Sequence, residues 1–454
     1  MIEIYTPEIW YFIVMLATFV GLAAIKIPIS VSLMFSALAG SIVFGEFFPL
    51  RHLVEGGFAY LDTILVISSA MIFMESIKVS GLLETIAGNM TVALHKKPTF
   101  LLVLMTFFIM IAGMITGSST ATVLTTGAIA YPVLKSLGLS KRRAGSIIAM
   151  SGIYGMIAPP INLPAMIIGQ GVDMPYIGFT TPLLFVTFPI AVITTLIIGV
   201  KKVKPVDLEE FKKTRESEPV KGFAVYLPLI VMIIFMVLEN VKWGFSLGLP
   251  LIFMISALIA VVTGRKGNIL KISFTAIQNA LGILSILIGV GMFIQVMTMN
   301  GVRGLIVGYL NSLPQSTLLL GIALGIPAFG AVSSFGSSSV LGVPFLLAFL
   351  GSNDIVVCSA LSLLAGLGDM VPPTALAGIF AAHVVGEKNY FKIWLSSMPA
   401  FFITMIFATL TIIWATQIGR FVNSVFFYPI FIGAFALMAV ALLLVDKRKG
   451  SVAR

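Results

Sequence analysis

Nonhelical breaks recur at matching places in two long apolar stretches of this chain. In the first stretch, GMITGSSTATV at residues 113–123 is followed by a double proline at 159–160. In the second, AFGAVSSFGSSSVLG at residues 328–342 is followed by a double proline at 372–373. Such breaks inside a bilayer leave backbone amides and carbonyls unpaired, which is costly unless protein, water or a ligand satisfies them. We infer that one structural unit is used twice.

Composition places the chain in a bilayer. Of its 454 residues, 59% are hydrophobic and only 10% are charged, which is typical of an all-α polytopic membrane protein that is surrounded by lipid. The net charge of +10 fits basic cytoplasmic loops, so we expect no nucleic-acid partner. The single Cys358 excludes an intrachain disulfide, and with three histidines the chain has no soft-metal cluster.

The apolar runs follow the same order in two halves, and a charged linker separates the halves. We predict the following organisation: a first repeat at 1–200 with a hairpin at 99–137 and a broken helix at 145–169; a linker at 201–222; a second repeat at 223–415 with a hairpin at 317–350 and a broken helix at 355–383; and an extra C-terminal span with a basic tail at 416–454.

The topology depends on whether each hairpin is re-entrant. If both hairpins return to their own side, each half crosses the bilayer an odd number of times and the two repeats are inverted. All but four of the 28 Lys and Arg residues then share one face, the exceptions being Arg51, Lys242, Arg303 and Arg420. The positive-inside rule makes that face cytoplasmic, with the N-terminus outside and the C-terminus inside. Hairpin limbs that span fully remain the alternative.

Paired Gly/Pro breaks in an inverted repeat predict a transporter site at the bilayer midplane. Gly117 and Gly336 are expected to turn the chain tightly at the two breaks. Hydroxyls and carbonyls suit a hard cation such as sodium, whereas close helix packing is the alternative explanation for these small residues. The candidate substrate-binding residues are Ser118, Ser119, Thr120, Thr122, Asn162, Ser337, Ser338, Ser339 and Thr374. Asn162 could equally cap a helix after the first double proline.

Asp369 is the strongest single candidate. It stands between Gly368 and the second double proline, where a carboxylate in hydrocarbon is costly and functional by default. We predict that it coordinates a cation or couples protons; a salt bridge or a water-exposed position are the alternatives. Because no arginine lies near either break, an anionic substrate would be held by amides, hydroxyls and helix dipoles, or by Lys135.

The first half resembles the large membrane subunit, DctM, of tripartite ATP-independent periplasmic (TRAP) transporters, a branch of the ion transporter superfamily. The resemblance lies in GMITGSSTATVLTTGAIAYPVLKSLG and AGSIIAMSGIYGMIAPPINLPAMIIG, and more loosely in VPPTALAG of the second half. It implies sodium-driven uptake of an organic acid, such as a C4-dicarboxylate or a sugar acid, across a prokaryotic inner membrane. It also implies a small membrane subunit and a periplasmic substrate-binding protein as partners.

The resemblance further implies an elevator mechanism, in which the hairpins and broken helices slide past a scaffold made of the remaining spans. The sodium sites implied by the family are Gly117, Ser118, Gly155 and Pro159 in the first half, and Gly336, Ser337, Gly368 and Asp369 in the second.

Three other functions remain as alternatives. A proton- or sodium-coupled antiporter or symporter of the same superfamily could work without partners, and an anion channel would share the broken helices. Gly366, Gly368 and Asp369 also match the GxGD pattern of intramembrane aspartyl proteases, for which Asp62 is the plausible second aspartate. Proteolysis would not explain the duplicated breaks, so we expect no enzyme.

Overall fold

The computed structural model describes residues 6–214, 220, 222–240, 247–372 and 375–452. Throughout these residues the secondary structure is helical, as expected. The helices of the first half and the linker are α1 Pro7–Ala24, α2 Ile29–Phe44, α3 Leu50–Phe58, α4 Leu61–Val79, α5 Leu82–Leu94, α6 Pro98–Thr116, α7 Ser119–Thr122, α8 Ala128–Ser136, α9 Lys141–Ile157, α10 Leu163–Gln170, α11 Thr180–Gly199 and α12 Leu208–Thr214, with a π-helical turn at Val123–Gly127.

The second half repeats much of this order. Its helices are α13 Leu227–Asn240, α14 Gly248–Thr263, α15 Ile269–Met299, α16 Val302–Ser312, α17 Gln315–Gly330, α18 Ser334–Ser337, α19 Val343–Ala348, α20 Asp354–Leu367, α21 Leu376–Val385, α22 Phe391–Ile413, α23 Ala415–Val422 and α24 Phe427–Val452; a π-helical turn lies at Ser338–Gly342 and short 3₁₀ turns at Ala224–Tyr226 and Gly368–Met370.

Six helices in the described part of the chain, α1, α6, α11, α15, α22 and α24, are long and apolar enough to cross a membrane, and the bent pair α3 and α4 could form a seventh span. Shorter apolar helices, among them α17, fill the space between them. The helices therefore form a multi-pass membrane protein.

Two short helices, α5 and α16, were not expected from the sequence. Each follows a glycine in the left-handed region, Gly81 at φ 79° and Gly301 at φ 76°, which turns the chain sharply after a long span. Their mixed apolar and polar composition lacks the long hydrophobic run of a span. Each therefore connects a span to the outer limb of a hairpin.

The linker was expected to be a charged connection, but part of it packs on the first half. Val203, Val206 and Phe211 are buried. The Lys204 amide donates to the Leu137 carbonyl over 2.9 Å, just after the first hairpin. These contacts attach the start of the linker to the base of that hairpin.

The helices pack as two groups. One contains α1–α4 and α13–α15, the other contains α6–α11 and α17–α24, and the connecting helices α5 and α16 contact both groups. The resemblance assigned α11, α22 and α24 to the first group, as scaffold spans, but α24 packs against α6, and α11 and α22 pack against α9 and α20. Hydrogen bonds between side chains hold them there: Tyr154 Oη and Thr404 Oγ1 lie 2.7 Å apart, and Thr106 and Thr195 hydroxyls lie 2.9 Å apart. We call the second set of helices the hairpin group.

Candidate functional site

The first hairpin turns where α6 ends. Gly117 lies in the left-handed region at φ 63°, and a Cβ there would lie 2.7 Å from Leu163 Cγ, so glycine is needed for both the turn and the packing. The Ser118 side chain then caps α7 by accepting from the Ala121 amide over 3.2 Å. The short helix leads into the π-helical turn that starts at Val123.

The second hairpin is built in the same way, but the residues that match those of the first hairpin are not the ones expected from the sequence. Ser333 caps α18 by accepting from the Gly336 amide over 3.1 Å, and the second π-helical turn follows at Ser338. Ser333 and Ser334 are thus the counterparts of Ser118 and Ser119. The expectation that Gly336 turns the chain is wrong, because it lies inside α18 with helical backbone.

The two broken helices pack tightly on the outer limbs of their hairpins. A Cβ on Gly155 would lie 2.6 Å from the Met110 carbonyl oxygen of α6. A Cβ on Gly330 of α17 would lie 2.8 Å from the Gly368 Cα atom. Both glycines before a double proline, Gly155 and Gly368, therefore allow backbone to approach backbone, which is the packing role of small residues in membranes.

The nonhelical residues between α9 and α10, which include Pro159, are bonded to the first hairpin. The Ile161 amide donates to the Met114 carbonyl of α6 over 3.2 Å. This bond satisfies one of the backbone groups that the break frees, so Pro159 and Gly117 belong to one packed unit.

Asp369 lies at the centre of the hairpin group, buried to 4% exposure. Its Oδ2 accepts a short hydrogen bond from the Ser119 hydroxyl, which comes from the opposite half of the chain. The Ser334 side chain also interacts with the same carboxyl. Equivalent serines from the two hairpin tips therefore face one carboxylate at the second break.

This carboxylate has no ion-pair partner among the described residues. Lys135, the one basic residue considered for an anion site, is exposed near the end of α8 and does not point into the cluster. Asp62 is exposed in the first turn of α4, so the aspartate pair that a GxGD protease requires is not formed.

Most of the other predicted hydroxyls already donate to backbone carbonyls. Ser337 donates to Ile326 over 2.7 Å, and the others in this set are Thr122, Ser338 and Ser339. All four are buried, and their hydrogen bonds to backbone carbonyls explain these small polar side chains better than ligand contact does. Thr120 differs, because it is partly exposed at the first hairpin tip and its hydroxyl has no hydrogen-bond partner within the described ranges.

Asn162 is a structural cap. Its Oδ1 accepts from the Ala165 amide over 2.9 Å, and its Nδ2 donates to the Ile157 carbonyl over 2.9 Å and to the Ser362 hydroxyl over 2.8 Å. The side chain is fully buried and joins the first broken helix to the second. Thr374, the matching candidate after the second double proline, lies outside the described residues.

Ser334 is the site residue that the sequence reasoning missed. Two runs of serine in SSFGSSS gave two possible alignments with GSSTAT, and we matched the second run. The signal that could have found it is the helix cap. At both Ser118 and Ser333 the serine hydroxyl accepts from the amide of the residue three positions later.

The sequence matches the family "Tripartite ATP-independent periplasmic transporter, DctM component" over residues 12–418. The chain belongs to the DctM family. Among curated protein sequences none is similar enough to count as a match. Members of this family are transporters and not enzymes.

Two solved structures share the fold of this DctM chain. One is the YdaH transporter of Alcanivorax borkumensis, with a TM-score of 0.57 and 16% identity over 90% of this chain and 98% of that one. The other is MtrF of Neisseria gonorrhoeae, from a class of antimetabolite efflux pumps, with a TM-score of 0.57 and 16% identity over 90% of this chain and 95% of that one. At this identity the likeness concerns the fold alone.

Proposed function

We propose that this DctM component is a secondary active transporter that takes up a small organic acid and is driven by sodium. In this proposal Asp369 binds the coupling ion together with the Ser119 and Ser334 hydroxyls. The supporting observation is a buried carboxylate that faces two hydroxyls and has no basic partner among the described residues. A carboxylate in such a place needs a counter-charge, and oxygen ligands suit a hard cation.

The same charge provides a reason for coupling. An organic anion held at the first hairpin tip, by the Ser119 and Thr120 hydroxyls, would lie beside Asp369. Two like charges about 5 Å apart repel each other by about 3 kcal/mol at an effective dielectric constant of about 20, which weakens binding about a hundredfold. A bound sodium ion removes this repulsion. The anion and the cation would therefore bind together.

The division of the helices into two groups supports an elevator motion as the transport step. We propose that the hairpin group moves as one body against α1–α4 and α13–α15. Contacts across the boundary include the packing of α4 against α6, the hydrogen bond that Tyr60 Oη donates to the Ile167 carbonyl over 3.0 Å, and the stacking of the Phe19 and Phe329 rings with centroids 5.9 Å apart. A rearrangement would break these contacts without unpacking either group.

The DctM family works with a small membrane subunit and a periplasmic binding protein. For this chain we propose the same two partners, a C4-dicarboxylate-like or sugar-acid substrate, and an inner-membrane location with the N-terminus outside and the C-terminus in the cytoplasm. The inverted arrangement of the two repeats is part of the same proposal.

The test is uptake into proteoliposomes of a panel of labelled C4-dicarboxylates and sugar acids, with an inward sodium, potassium or proton gradient. Wild type is compared with Asp369→Asn and Ser119→Ala. The matched control is Asp354→Asn, the same change in the first turn of α20, away from the cluster. We expect sodium-dependent uptake that Asp369→Asn abolishes, Ser119→Ala reduces and Asp354→Asn leaves intact.

Other outcomes would replace the proposal. Uptake driven by a proton gradient and indifferent to sodium would make Asp369 a proton carrier. Anion flux that responds to voltage and to no cation gradient would indicate a channel. Efflux that requires external sodium or protons in exchange would indicate an antiporter.

A further inference from the structure

The C-terminal helix α24 lies after the family match, which ends at residue 418. It nevertheless contributes a helix cap to the first hairpin. The N-terminus of α6 lacks a cap of its own, because its N-cap residue Lys97 makes no side-chain hydrogen bond to it. The cap comes from Asp446, near the other end of the chain. Its carboxylate accepts from the Thr99 amide over 3.0 and 3.1 Å and from the Phe100 amide over 3.1 Å.

These bonds make a strong attachment. The first amides of a helix lack partners within the helix and carry partial positive charge, so a carboxylate is their most favourable acceptor. Asp446 is only 5% exposed. If α24 separated from α6, this charge and the amides would lose their partners in a poorly solvated place, which is expensive.

An apolar contact continues the attachment along the helix. Phe435 of α24 packs against Phe107 of α6 with ring centroids 6.0 Å apart and against Phe188 of α11 at 6.4 Å. Further along, Val103 and Leu442 are buried together. The remainder of α24 is largely exposed on the surface of the protein, as expected for a helix that faces lipid.

We propose that α24 is a third limb of the first hairpin that is carried with the hairpin group during transport, and that Asp446 is the positioning residue that fixes it there. The proposal rests on the elevator motion proposed above. It assigns a role to a helix that has no counterpart in the first half, and it predicts that α24 keeps its contact with α6 in every state of the cycle.

Cross-linking tests this directly in the full-length protein. In a Cys358→Ala background one variant carries Val103→Cys and Leu442→Cys, which joins α24 to α6. A second carries Phe19→Cys and Phe329→Cys, which joins the two helix groups. A protease site is placed in the linker, and cleavage there separates the two halves on a gel unless a disulfide joins them. The same gel therefore reports disulfide formation in both variants, in proteoliposomes.

We expect the 103–442 disulfide to form completely, at a rate that sodium and the panel acids do not change, and to leave uptake intact. We expect the 19–329 disulfide to arrest uptake. Arrest by both disulfides, or incomplete formation of the 103–442 disulfide, would overturn the proposal for α24 alone. If neither disulfide arrests uptake, the elevator motion is contradicted. The proposal that α24 moves with the hairpin group is then contradicted too.

The role of Asp446 is tested in the 103–442 variant. Asp446→Asn keeps the shape of the side chain but loses its charge, and we expect the disulfide to form about tenfold more slowly. Asp446→Glu retains the carboxylate and should restore most of the rate. An unchanged rate in Asp446→Asn, or an equal loss in both variants, would overturn the assignment of Asp446.

Discussion

Replacing Asn162 by alanine should destabilise the hairpin group more than the loss of an ordinary helix cap does. The side chain makes three hydrogen bonds, to the Ala165 amide, the Ile157 carbonyl and the Ser362 hydroxyl, and it is fully buried. Each buried bond contributes about 0.5–1.5 kcal/mol, and an abandoned partner costs at least as much. We expect a loss of about 3 kcal/mol, which corresponds to a fall in melting temperature of about 3 °C in a chain of this size.

The chain provides its own reporter for this measurement. Cys358 is the single cysteine, is fully buried in α20, and lies with its sulfur 3.5 Å from the Ala165 carbonyl oxygen. A thiol-reactive fluorescent dye therefore becomes bound when the contact between α10 and α20 opens. Thermal scans in detergent with this dye follow unfolding at the place that the substitution weakens.

A matched control distinguishes the bridging role of Asn162 from the effect of losing an ordinary helix cap. Asn353 caps α20 through one bond, accepted from the Val356 amide over 3.1 Å. Asn353→Ala should cost about 1 kcal/mol, typical of a lost cap. If Asn162→Ala shifts the melting temperature no more than Asn353→Ala does, the bridging role assigned to Asn162 is refuted, and its amide is free for a ligand.

Two further predictions concern packing and register. Gly155→Ala places a methyl group 2.6 Å from the Met110 carbonyl oxygen and should cost about 1–3 kcal/mol in thermal scans, whereas Gly433→Ala, with open space around it, should cost nothing. Ser118→Ala and Ser333→Ala each remove one capping bond at equivalent tips, so their losses should agree within about 0.5 kcal/mol; a clear inequality would contradict the equivalence of the two serines.

The all-helical membrane fold followed from composition and from local signals. Runs of apolar residues predict spans, and Gly or Pro placed inside them predicts where helices stop. The structure has helix ends at Thr116, Ile157, Gly330 and Leu367, beside the breaks seen in the sequence. Short helices such as α5 give no comparable signal, because they are too short for the long apolar run that predicts a span.

The centre of the site could be predicted only in part. Asp369 stood out because a carboxylate is rare in apolar sequence. Its partner Ser119 is 250 residues away, and only the packing of the two halves brings them together. Ser334 was hidden by the repeated serines around it. The placement of α11 and α22 in the hairpin group depends on helix contacts that periodicity does not encode.

The most direct test of the account is whether Asp369 binds sodium. The melting temperature of the wild type, followed with the dye on Cys358, is measured against increasing sodium chloride, with potassium chloride at equal ionic strength as the control. Sodium that binds the folded state should raise the melting temperature as its concentration increases. At a sodium concentration a hundred times the dissociation constant, the free energy of unfolding should rise by about 2.7 kcal/mol. We predict this response in the wild type and in Asp354→Asn, and its loss in Asp369→Asn. A sodium response that survives unchanged in Asp369→Asn would contradict the central claim.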